Sequence, residues 1–202
     1  MRLYRYLAVP VCCAALALPL AAFAQANSNP AAAPAATTAP AAAPAFIAPA
    51  DSLGALAELM QKEVISAADA MPADKYDFAP TGTGDFKGVR TFAGQVRHLA
   101  QANYEFFQGW GIAGGVDPKT LESLKTKDEL MKALRDSYAF QAAAIQSITP
   151  ENAFASVPGA PPQFKMTRAT AAAFALAHSM DHYGQMVEYL RMNGIIPPAS
   201  RK

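Results

Sequence analysis

Cysteine, histidine and net charge are all scarce in this sequence, and each scarcity removes a class of function. There are two cysteines, Cys12 and Cys13, and both fall in an N-terminal apolar run. If that run is removed, the rest of the chain has no disulfide framework and no cysteine nucleophile. The 17 basic and 16 acidic residues nearly cancel, which leaves no electrostatic basis for holding nucleic acid. The apolar run from Leu7 to Leu20 falls short of the roughly 20 residues that a membrane-spanning helix needs. No segment alternates apolar and polar residues as a half-buried strand does, and no internal repeat is evident.

The N-terminus that holds the cysteines reads as an export signal over residues 1–24. It starts with the basic Met1-Arg2-Leu3-Tyr4-Arg5, continues through the apolar run, and ends in the small-x-small pattern Ala22-Phe23-Ala24. Val9-Pro10-Val11-Cys12 is a poor match to a lipobox, so cleavage after Ala24 and a periplasmic or secreted product are expected, with no stable membrane span. Arg2 and Arg5 leave with the signal, which takes the 17 basic residues to 15 against 16 acidic ones.

From residue 25 to 50 the chain is mostly alanine and proline. Pro30, Pro34, Pro40, Pro44 and Pro49 are spaced so that no helix runs through, as in an extended, solvated tether.

Residues 51–202 have the length of one domain, and their periodicity is helical. A first helix is expected from an Asp51 or Ser52 cap, with Leu53, Leu56, Met60, Val64 and Ala67 on its buried stripe. Phe92, Val96, Leu99, Ala102 and Phe106 mark a second. Thr126 and Glu129 have capping-box spacing ahead of a third, which carries Leu130, Leu134, Tyr138, Gln141 and Ile145. A fourth is expected from near Thr167 to about Asn193, with Gly194 as its stop and Pro197-Pro198 preventing continuation. The fold class is therefore all-α, a four-helix bundle.

All three histidines fall on these helices. His178 and His182 are four residues apart, which stacks both imidazoles on one face of the fourth helix. His98 lies mid-way along the second, on the flank of its apolar stripe, where an antiparallel neighbour would bring it to the other two. Three imidazoles suit a divalent transition metal and leave a coordination position open for water or substrate. Gln101 and Glu105 share the face of His98, while Gln185, Tyr189 and Asp181 sit at helical spacing from His178 and His182. Asp181 is placed to accept from an imidazole N–H. A zinc peptidase would carry a glutamate directly after the first histidine of His-x-x-x-His; Ser179 stands there.

The segments RTFAGQVRHLAQANYEFF (90–107) and HSMDHYGQMVEYLRMNGIIPPAS (178–200) resemble the DinB-like family of four-helix metalloproteins. The resemblance implies a four-helix bundle, often a homodimer, in which His98, His178 and His182 bind a divalent metal such as zinc or nickel. Relatives of this kind include thiol-dependent transferases and isomerases, and the family name implies no DNA contact. Two functions follow as expectations. One is an enzyme, a transferase acting with a small-molecule thiol or a hydrolase, whose metal turns a bound thiol or water into a nucleophile. The other is a periplasmic metal- or ligand-binding module without turnover.

Overall fold

A computed structural model describes residues 45–157, 159–160, 163 and 165–202. The expected export signal, both cysteines and the expected tether up to residue 44 lie outside the described residues. Four α-helices follow: α1 (Pro49–Ala70), α2 (Phe92–Phe106), α3 (Lys127–Gln146) and α4 (Arg168–Met192). Among the described residues the one β-type pairing outside the helices is an isolated antiparallel bridge between Ser156 and Thr167. None of the described helices is long and apolar enough to cross a membrane.

The helix ends follow from local chemistry. Thr126 and Glu129 form a reciprocal capping box at the start of α3, and Thr167 and Thr170 do the same at α4. Gly194, with φ of 72°, closes α4: its own N–H bonds the Arg191 carbonyl and the Ile195 N–H bonds that of Leu190, the two bonds of a Schellman motif. α1 starts earlier than an Asp51 or Ser52 cap would put it. Ala48 is the N-cap without a side-chain bond, and Pro49 opens the helix because its missing N–H costs nothing in the first turn. Asp51 then lies inside that first turn, where it complements the helix dipole. Leu56 also departs from expectation: it is 47% exposed, and Ala57 takes the buried position beside it. Thr126→Ala is expected to cost about 1 kcal/mol, read as a lower urea midpoint at unchanged slope.

α1 packs against α3 and α4, and α2 packs against the same two helices. The side-chain bonds give the directions. Lys127, at the start of α3, bonds the Asp69 and Met71 carbonyls at the end of α1, so these two helices are antiparallel. Arg97 of α2 reaches the Leu124 carbonyl just ahead of α3, and Asn103 further along meets Ser137 and Gln141, so α2 and α3 run parallel. Glu63 accepts from Tyr183, and Lys75 reaches Asn193, so α1 and α4 are parallel as well.

The order is up-down-down-up. Parallel α2 and α3 require a crossover, supplied by residues 107–126 with their short 3-10 helix Pro118–Ser123. Gln101 donates to the Pro118 carbonyl and ties that crossover to α2.

The core is filled by large side chains from all four helices, among them Met60, Phe92, Leu99, Leu134, Tyr138 and Leu190. Crucial for the site is the α2–α4 register. Gln95 pairs with Gln185; three residues on, His98 meets His182, and near the far end of α2 Phe106 meets Phe174.

Candidate metal centre

The antiparallel pairing of α2 and α4 brings all three histidines together. Ring centroids are 4.5 Å apart for His178 and His182, 4.7 Å for His98 and His182, and 5.0 Å for His98 and His178. One ring nitrogen from each lies within 4.8 Å of the other two, so the three could hold a single metal ion. His182 is buried, while His98 and His178 are half-buried, which leaves the cluster open on one side. His178 Nε2 is buried with no hydrogen-bond partner. A buried, unpaired nitrogen lone pair costs free energy, and a metal ion would relieve that cost.

The surroundings favour neutral imidazoles, the form that ligates. Burial pushes His98 down to about 4, with the Arg90 charge and His178 adding to it. Burial also pushes His182 down to about 4, with His178 and His98 next in importance, and lowers His178. A depressed histidine contributes stability that is present above its unfolded value and lost as pH falls through the folded one. The melting temperature of metal-free protein is therefore expected to fall as pH drops from about 6.5 toward about 4, beyond the fall seen in a His98→Ala, His182→Ala double variant.

Around the triad the structure distributes the sequence candidates unevenly. Gln185 reaches the triad only through Gln95, from which it accepts, and it donates to Asp181. Asp181 accepts from Gln185 at 3.2 Å rather than from an imidazole N–H, because its side chain lies toward solvent one turn before Gln185. Tyr189 donates to the Arg90 carbonyl and so holds the residue whose guanidinium lies 3.5 Å from His98 Nδ1, the outer limit of a hydrogen bond. Gln101 is occupied by the crossover and does not join the triad, and Glu105 is exposed.

Gln95 was not singled out by the sequence reading. It is buried and its Oε1 lies 2.7 Å from His182 Nδ1. The available signal was a polar residue set among Phe92, Val96 and Leu99, one turn before His98 on the same face.

Beyond His178 the site becomes aromatic. Phe106 stands edge-on to that imidazole at 5.2 Å, and Phe174 is stacked with it at 6.3 Å. Both phenylalanines also line a groove of about 400 Å³ whose other walls include Val157, Met166 and Ala171. A larger groove, about 950 Å³, lies between α1 and α3; no histidine lines either groove, and the smaller one adjoins the triad only through Phe106 and Phe174. Ser179, at the position of a peptidase's general base, is buried and takes the Tyr138 hydroxyl at 3.2 Å, so it belongs to the core.

Residues 56–186, the stretch that contains the whole triad, match the family model of the DinB superfamily. The chain belongs to the DinB superfamily. No curated protein matches it. The DinB match stops short of the alanine-proline tract at one end and of the Schellman stop at the other, and covers the antiparallel α2–α4 pair as far as Met186.

Proposed function

We propose that this DinB-superfamily chain is an exported metalloenzyme in which His98, His178 and His182 hold one divalent ion, zinc or nickel, and a small thiol is the cosubstrate of a transfer reaction. The observation that carries the reading is the convergence of three imidazoles at a half-open site, with His178 Nε2 buried and unpaired. Three nitrogen donors with an open side are the donor set of reactive sites rather than of closed structural ones. When bound, a divalent ion supplies the positive charge that lowers the pKa of a thiol or water in the open position.

The chain's own residues supply the rest. Arg90 adds a second positive charge beside His98 and favours an anionic group at the mouth. Phe106 and Phe174 cover one side of His178 and keep water from it. The groove that they line has the volume and apolar lining for the carbon skeleton of an electrophile. Export is our reading of residues 1–24, and with it the thiol would be one met outside the cytoplasm.

The test is to incubate metal-loaded protein with small thiols and a panel of electrophiles, with His98→Ala as the control lacking one ligand. Turnover that requires metal, thiol and His98 supports transfer, and turnover that needs no thiol supports hydrolysis. Equal rates for the two proteins across the panel reject both, and metal retained without turnover favours the binding module.

A further inference from the structure

The three histidines are held by unequal means. His98 faces the guanidinium of Arg90, which can only donate, and His178 Nε2 has no partner. His182 alone is joined to an ordered chain of side chains. Its Nδ1 lies 2.7 Å from Gln95 Oε1; Gln95 Nε2 donates to Gln185 Oε1 at 2.7 Å; Gln185 Nε2 donates to Asp181 Oδ2 at 3.2 Å.

The direction of that chain is fixed from its outer end. An ionised carboxylate only accepts, so the Gln185 amide must turn its NH2 toward Asp181 and its oxygen inward. Gln95 must then turn its NH2 toward Gln185 and its oxygen toward His182. A carbonyl oxygen at that distance demands a proton on Nδ1, and a neutral imidazole has only one. We infer that Asp181, Gln185 and Gln95 form a one-way hydrogen-bond relay that holds His182 as its Nδ1–H tautomer and so reserves Nε2 for the metal. The inference rests on the reading of the triad as a metal site, and it makes Gln95 a positioning residue.

The energetics agree with that role. A glutamine amide buried in an apolar stripe is costly unless every polar end is paired, and Gln95 is 1% exposed with both ends bonded. In water a neutral imidazole exchanges between tautomers; a ligand already in the right one loses less on binding.

The tautomer can be read without any metal. In the metal-free full chain, labelled with 15N at histidine, NMR distinguishes protonated from bare ring nitrogens, and the His182 signals are those missing from His182→Ala. The expected result is Nδ1 protonated and Nε2 bare. Nε2 protonated, or an average of the two forms like that of histidine in water, overturns the relay.

Three variants extend the test. Gln95→Glu, which still presents an acceptor, should keep both the tautomer and zinc binding. Gln95→Leu should lose the fixed tautomer and weaken zinc binding by about 10- to 100-fold. Were Gln95 merely filling space, leucine would preserve both. Asp181→Lys presents only donors and should reverse or mix the His182 tautomer. Its added charge alone would weaken zinc binding and leave the NMR signature intact, an outcome that removes Asp181 from the relay and overturns the inference as stated. Failure of the wild type to bind zinc at all, with the tautomer as expected, would strike the proposed function and leave the relay standing.

Discussion

His182→Ala is expected to reduce bound divalent metal from about one ion per chain to background, because an open site built on three imidazoles has no ligand to spare. His182 is the most deeply buried of the three, and its removal also strands Gln95 Oε1 without a donor in the core. His178→Ala should have the same effect on metal content. Metal content of purified protein by elemental mass spectrometry checks both. A second consequence separates a bound ion from an adventitious one. A ligand present at about 100 times its Kd stabilises the folded state by about 2.7 kcal/mol, so a chelator should lower the melting temperature of the wild type and leave that of His182→Ala unchanged. Unchanged metal content in both variants would remove the triad as the binding site.

The other large expected effect concerns the scaffold. Phe92→Ala should cost about 3–5 kcal/mol, because the Phe92 ring is fully buried at the start of α2 and meets the Tyr76 ring edge-on at 5.3 Å. For a domain of this size that corresponds to a fall in melting temperature on the order of 10 °C. The site itself should survive: His98 lies nearly two turns further along α2, and its register with α4 is also held by Gln95 with Gln185 and by Phe106 with Phe174. Calorimetry and metal content together decide it. Loss of metal in a variant that still folds would show that the register depends on this one ring.

The sequence carried the parts of the fold that depend on local chemistry. Thr126 with Glu129, Thr167 and Gly194 each marked a helix end by a side chain or a φ that only that position needed, and the structure has a terminus at each of them. The three histidines were legible for a similar reason, since four-residue spacing fixes the face of His178 and His182 whatever surrounds them. What depended on the neighbouring helix was less legible. Leu56 and Ala57 both fit the stripe of α1, and the size of leucine pointed to the wrong one: it is Ala57 that is buried where α1 packs in the bundle, while Leu56 is turned to solvent. The up-down-down-up order follows from bonds such as that of Lys127 with Met71, which no periodicity contains. Gln95 shows the same limit: on its own helix it is an odd polar residue, and only the meeting of α2 with α4 gives its amide two partners.

The central claim is that three imidazoles share one metal ion, and X-ray absorption spectroscopy of the zinc-loaded protein tests it most directly. The account predicts a nitrogen shell at about 2.0–2.1 Å that requires three imidazoles, with one lighter ligand that gives way to sulfur at about 2.3 Å when a small thiol is added. A shell without imidazole, or a spectrum identical in the wild type and in His182→Ala, would contradict it.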